Sequence, residues 1–435
     1  MPSGIHYSGT PNPSGLVNTE IERVRTKLPA LFDYDDTFIR EIEKRADVEE
    51  VGAKDMRVPL EIRPGGKFGH FEPDHGDMGL GGGPTFEKAI VPVVYLKHGI
   101  QWSTKAAWAT DSKRKNAVNY FRHILAKGMA RFRRHVDTLA VGDGTGVLGT
   151  VSARAVNTPA GFDTLTLASD GFRARLVSYG QDISFYDTTL AAKRAGGEAT
   201  IVAHNGAANT IQIATATGPA ANVVVGDKLV VSGLTATPPV SLLGVKYHHA
   251  STGTWLGLAR SSNPEINGNE VASGGTLAIS QIRLALNKIG DRTGEMSSTG
   301  KGKRLQAWMH PAQLAAYEEL GSAVIVLNQT SGGRVKNNDL LGDDTNMTIA
   351  GMPIRTHWAW DRTRIDLIDM DAWGRAVMKE PDFYEVEGRK IFELRGASGG
   401  VATSQIFYIA AAFNLFVDNP ITGAFVTGLP IPSGY

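Results

Sequence analysis

Five side chains that could hold a metal crowd into eight residues: His70, Glu72, Asp74, His75 and Asp77. Imidazole and carboxylate groups of this kind suit a divalent cation. Their spacing fits neither a zinc site nor a calcium loop, and Gly65–Gly66 and Gly81–Gly83 flank them with freely turning backbone. The segment reads as a polar loop tip. Two glycine motifs invite other chemistry. Gly144, Gly146 and Gly149 match GxGxxG, which holds a pyrophosphate only when a strand precedes it and a helix follows. Here a long helical stretch comes first, so the motif reads as a helix-ending turn. Gly396-Ala397-Ser398-Gly399-Gly400 matches the nucleophile elbow GxSxG, whose histidine comes after the serine in chain order. The last histidine is His357, upstream of Ser398, and the motif reads as a turn between strands. The pair His248–His249 reads as a strand edge. No HExxH, GxxxxGK[ST] or DxDxDG pattern occurs. The sequence thus predicts no catalytic, cofactor-binding or metal site.

The clearest element is a helix over about 111–141. Val118, Phe121, Leu125, Met129, Phe132, Val136 and Leu139 recur every three or four residues, Asp111 can cap its start and Gly142 its end. At 1.5 Å per residue it would run roughly 46 Å. Opposite the apolar stripe stand His123, Lys127, Arg131 and Arg134, with no acid interleaved. Like charges at that spacing repel, so compensation must come from elsewhere. Asp137 reaches only the end of the row, through Arg133 or Arg134. An inter-subunit or DNA-facing stripe is one expectation, with Asp35, Asp36 and Glu41 as acidic partners. A solvated face ranks equal with that pairing, and contact with DNA third.

Other elements surround this helix. Residues 1–19 are rich in Gly, Pro, Ser and Asn and should be extended, with helix at about 20–46, broken near Pro29. In 56–98, two apolar strand-like runs flank a charged, glycine-rich middle, as in a long hairpin. Between Ala199 and Val245 the only charges, His aside, are Asp227 and Lys228, and short strand-like runs alternate with turns. That predicts a small all-β unit at about 196–275. Helices follow at 279–289 and 311–320, the latter opened by Pro311, then strands from Met347, including a long apolar one at 405–417.

Composition narrows the function. The 435 residues carry 45 basic and 44 acidic side chains, unlike a dedicated nucleic-acid binder, and near-neutrality opposes association little. With no cysteine, no disulfide or thiolate chemistry exists, which suits a reducing cytoplasm. The longest apolar run, Ile406 to Val417, is too short to span a bilayer and contains Asn414, and MPSGIHYS lacks the features of a signal peptide. No membrane association is expected.

The order of parts resembles the Hong Kong 97 fold of tailed-phage major capsid proteins. GDGTG after the long helix, VGDKLVVSG, TGTWLGLARSSNPE and IFYIAAAFNLFVDNP carry the likeness, which extends over nearly the whole chain. The resemblance implies an α+β fold with an N-terminal arm (1–55), an E-loop hairpin (56–100), and a peripheral domain with spine helix and the start of the axial domain (101–195). A β-rich insertion (196–275), axial domain (276–345), and return strands with a C-terminal tail (346–435) complete it. It implies a structural capsid protein, not an enzyme, that self-assembles as hexamers and pentamers into an icosahedral or prolate shell around double-stranded DNA, held by non-specific contact. A separate scaffolding protein, a portal and a decoration protein are the further partners implied, in a virion assembled in the bacterial host cytoplasm. Some relatives cross-link Lys to Asn; Lys67 with Asn414 or Asn419 would be the candidates here, without a recognisable motif. The competing readings are another phage structural component (tail or decoration) and an enzyme with a β-rich accessory domain.

Overall fold

The computed structural model describes residues 37–45, 47–51, 55–70, 81–103, 120–168, 177–214, 222–294, 305–329, 348–349, 352–386, 390–395 and 401–432. Helix α1 (Thr37–Arg45) leads into strand β1 (Asp47–Glu50). Strands β2 (Asp55–Arg63) and β3 (Thr85–Pro92) form the expected antiparallel hairpin, and β4 (Val94–Ser103) continues from its base. The long helix α2 spans Tyr120–Val141, about 33 Å. The first part of its expected range lies outside the described residues.

A closed barrel follows. Its strands are β5 (Val147–Ala155), β6 (Phe162–Leu167), β7 (Asp182–Tyr186), β8 (Ala199–Asn205), β9 (Thr210–Ala214) and β10 (Lys228–Val231), joined in the order β10-β5-β6-β9-β8-β7. Every pair is antiparallel. Alternate residues point inward: Leu165 and Leu167 from β6, Ile211 and Ile213 from β9, all buried. Two carboxylates are buried with them and both are neutralised. Asp163 takes Arg154 at 2.8 Å, and Asp227 takes Arg194 at 2.6 Å.

The sheet topology therefore divides the chain differently from the all-β unit expected at 196–275. The barrel draws β5, β6 and β7 from before residue 196 and ends at Val231. The low-charge run from Ala199 to Val245 covers only β8, β9 and β10, whereas Arg154 of β5, Asp163 of β6 and Asp182 of β7 interrupt it in the other three strands. Beyond it, the short pair β11 (Thr254–Trp255) and β12 (Leu258–Ala259) stands alone.

Strand β13 (Asn269–Ala272) joins a six-stranded axial sheet with β14 (Leu305–Met309), β15 (Thr348–Ile349), β16 (Met352–Thr356), β17 (Ile365–Asp369) and, from the chain's end, Ala424–Thr427. Helix α3 (Ile279–Thr293) lays Ile282, Ala285 and Ile289 on it, and α4 (Pro311–Gln329) follows β14. The peripheral sheet is built from β18 (Trp373–Phe383), β19 (Phe392–Arg395) and the 17-residue β20 (Val401–Val417). The axial end strand is then β21. One edge of β20 pairs with β4; the other pairs with β18 and β19, and β1 joins β18 in parallel. Helix α2 lies on this sheet, and Gly128 lets it approach Ile100 of β4.

Phe38 of α1 locks the two sheets together. Its ring meets Trp308 of β14 at 5.0 Å, Trp360 at 5.4 Å and Trp373 of β18 at 5.7 Å, all edge-on. All four rings are fully buried.

Candidate assembly surfaces

The hairpin has one covered face and one open face. Met56, Val58, Leu60 and Ile62 alternate along β2 and pack, half-buried, on Trp255, Leu256 and Leu258. The intervening Arg57, Pro59 and Glu61 face out, opposite Ile90, Lys88 and Phe86 of β3. Phe86 is 62% exposed, Ile90 40%, and Phe68 near the tip fully so. At the base, Ile90 N–H donates to the Leu256 carbonyl (2.8 Å), between the buried Ala89 and Val91.

The peripheral sheet is also covered unevenly. Phe407, Ile409, Ala411 and Phe413 of β20 face α2. On the reverse side, the hairpin base covers Ala412 and Phe416, while Tyr408 lies half-buried beside Gly99, with Tyr384, Phe392, Tyr95 and Met378 on the same side. Tyr95 is 66% exposed and Met378 48%. The sheet face with Tyr95, Tyr384 and Met378 exposed and the hairpin with its exposed phenylalanines are two surfaces on which large apolar groups meet solvent.

The basic row is not a free outer stripe. Arg131 donates to the Tyr179 carbonyl (3.3 Å) and Arg134 to the Ser178 hydroxyl (3.2 Å), just ahead of barrel strand β7. Lys127 is half-buried on the same helix. Two members of the row, Arg131 and Arg134, are thus engaged by the loop that leads into β7. The side chain of His123, together with Asp35 and Asp36, lies outside the described residues, and Glu41 is half-buried on α1. Three histidines gather round the arginines. Burial, then the charge of Arg131, lowers the pKa of His98 to about 4; burial, then His98, Arg134 and Arg131, lowers that of His135 to about 3. His204 of β8 is lowered too, by desolvation and then by Arg134 and Arg131.

No family model matches the chain, and no curated protein does. Solved structures do. The cyanophage A-1(L) capsid asymmetric unit superposes at TM-score 0.58 over 93% of this chain and 96% of that one, with 11% identity. The chain has the Hong Kong 97-like capsid fold. The capsid of an empty GTA particle (TM-score 0.48, 9% identity, 94% of each chain) and that of Myoviridae phage XM1 (0.45, 13%, 98% and 100%) are more distant and add no weight.

In the terms of that fold, α2 is the spine helix and β2–β3 the E-loop. Gly144 and Gly146, at φ +83° and +73°, turn the chain out of the spine helix into the barrel, a conformation that favours glycine. GxSxG and four of the five tip ligands, Glu72 to Asp77, lie outside the described residues. His70 is exposed, and among the described residues no group of three metal ligands forms. His248 and His249 are not on a strand edge. They end a one-turn helix, 0% and 2% exposed, where Trp255 Nε1–H donates to His248 Nδ1 (3.1 Å) and Asp366 lies 3.7 Å from His249. Asn414 is fully buried: its Oδ1 accepts from the Leu243 and Leu415 amides and its Nδ2 donates to the Pro92 carbonyl. It braces the hairpin base against β20 and is withdrawn from Lys67, which stands exposed near the tip. Asn419 caps the turn at Ile421.

Sequence reasoning missed the role of Asp137. Its position at the end of the basic row drew attention, but its partners did not show. Buried at 1% exposure, it accepts the Ile39 amide at 2.7 Å and the Nε2–H of His357, whose Nδ1 takes the Ala359 amide. A lone acid in a basic helix was the available signal, but its partners lie 98 and 220 residues away.

Proposed function

We propose that this chain is the major capsid protein of a tailed double-stranded DNA phage, a structural and non-catalytic subunit of a closed shell. The observation that carries this reading is the hairpin. An arm with a fully exposed Phe68 and an outward Phe86 gains nothing in a monomer, and burying such rings stabilises only when a neighbour covers them. The exposed Tyr95, Tyr384 and Met378 on the reverse of the long-strand sheet offer a surface of matching chemistry. The other partners follow as part of the same proposal: copies of the chain as hexamers and pentamers, a separate scaffolding protein, a portal, a decoration protein, and packaged DNA held by non-specific contact. The chain would then be a virion component assembled in the bacterial host cytoplasm. Among the described residues no helix is long and apolar enough to cross a membrane.

The test is assembly. The chain, expressed alone and with a phage scaffolding protein, is sized by chromatography and imaged by electron microscopy. Closed polyhedral shells are expected, and Phe68→Ser with Phe86→Ser should abolish them without changing the monomer's melting. Tubes, rings or persistent monomers under every condition would overturn the reading.

A further inference from the structure

The E-loop lies against its own subunit along the half-buried row Met56 to Ile62, and the contacts at the two ends of that row differ in character. At its base, Ala89 and Val91 are fully buried against the segment 253–267, and Ile90 bonds Leu256 there. Farther out, Arg63 Nε donates to Glu265 Oε1 at 2.8 Å and its Nη2 to the Ser262 carbonyl at 3.4 Å. These two side chains are 51% and 39% exposed. The ladder slips between Glu61 and Arg63, just short of this contact. Such an irregularity bends a strand and loosens its pairing.

The far side of segment 253–267 is fixed firmly. Arg292 of α3 donates to the Asn267 carbonyl, to Asn269 Oδ1 (2.9 Å), and to the carbonyls of Pro264 (3.0 Å) and Glu265 (2.9 Å). Arg260, 1% exposed, holds the Tyr247 and His248 carbonyls. The segment is therefore a rigid strap of the axial domain, and the hairpin leans on it. The base contact is buried; the outer contact, Arg63 with Glu265 and the Ser262 carbonyl, is half-exposed and next to a bend.

We propose that Arg63 and Glu265 form a clasp that holds the E-loop shaft against this strap in the free subunit and opens when the arm takes its place in a shell. The opening step rests on the capsid reading; the clasp itself does not. A hairpin that serves pentamers and hexamers must meet neighbours at more than one angle. An exposed ion pair biases such an equilibrium by on the order of two- to five-fold only, so contacts with a neighbour outweigh it. The clasp thus favours one orientation of the shaft, yet giving it up costs little.

The chain has no cysteine, so labels can be placed singly. Spin labels at Lys67→Cys and Ser280→Cys report the tip-to-axial-domain distance in unassembled protein by double electron–electron resonance. A narrow distribution is expected at low salt. It should broaden in about 0.5 M NaCl, where the screening length falls to a few ångström, and in R63E or E265R, and narrow again in the R63E/E265R swap. The same distribution in all five conditions would overturn the clasp. For the opening, R63C/E265C bridged by a reducible bis-maleimide should fail to assemble and recover on reduction. Equal assembly of the bridged and reduced forms would refute opening. Failure of the unbridged wild type to assemble would instead sink the capsid reading and leave the label distances to judge the clasp.

Discussion

The Ile39 amide donates to Asp137 Oδ1 at 2.7 Å, a buried bond that ties helix α1 to the spine helix. The other oxygen takes His357 from the loop after β16, so one carboxylate joins α1, α2 and the loop that follows β16. Removing it leaves two buried donors without an acceptor. Asp137→Ala should lower stability by about 3 kcal/mol, roughly 1–3 for each orphaned donor, and Asp137→Asn, which keeps one acceptor oxygen, should cost less. Urea unfolding followed by tryptophan fluorescence checks both. Equal midpoints for wild type and Asp137→Ala would remove Asp137 from this role.

Acid should weaken the subunit well before its carboxylates titrate. His98, His135 and His248 have pKa values lowered from 6.5 to about 4, 3 and 3, chiefly because burial disfavours the imidazolium. Below pH 6.5 the unfolded chain binds protons that the folded chain refuses, so stability is full above that pH and falls as pH drops toward the folded values. Each histidine contributes a slope of about 1.4 kcal/mol per pH unit across its window. The fall between about pH 6 and pH 4.5 should flatten in His98→Asn/His135→Gln. An unchanged slope in that variant would mean that these two histidines take up protons as readily in the folded protein as in the unfolded chain.

The barrel should fold as an independent unit, with boundaries set by its pairing. A fragment spanning 145–234 contains all six strands, whereas 196–275 lacks β5, β6 and β7. The first should give a strand-type circular dichroism spectrum and a cooperative melt, and the second neither. The reverse outcome would contradict the closed topology.

Charge reversal on the spine helix should act inside the subunit first. Arg131→Glu/Arg134→Glu removes the bonds to Tyr179 and Ser178. Faster amide exchange in β7 and β8 of the unassembled chain is expected. If Lys127 is reversed as well and assembly fails, rescue by reversing Asp35, Asp36 and Glu41 to Lys would show that the arm holds this row too. Normal empty shells that lose DNA would point to the genome.

Shells should carry no covalent Lys67–Asn414 link, because Asn414 is buried and committed to three backbone partners. Lys67→Ala should leave assembly and a single monomer band on denaturing gels unchanged. A ladder of multimers that disappears in Lys67→Ala would overturn this.

Local pattern determined much of this protein. Apolar spacing along Phe132, Val136 and Leu139 set the spine helix, alternation in Met56 to Ile62 set the hairpin, and the order of these parts carried the fold. Such signals are written within a few residues, because 3.6- and 2-residue periods are properties of the chain's own backbone. The barrel's true limits, the docking of Arg131 and Arg134, and the roles of Asp137, Asn414 and Glu265 were not legible. Each depends on a partner distant in sequence: Glu265 meets Arg63 across 202 positions and Asn414 meets Pro92 across 322. A buried polar group must find a hydrogen bond, but which one it finds is fixed only when the sheets close around it. The sequence determined which elements form; tertiary packing alone decided which charges are spent inside the subunit and which surfaces are left for a neighbour.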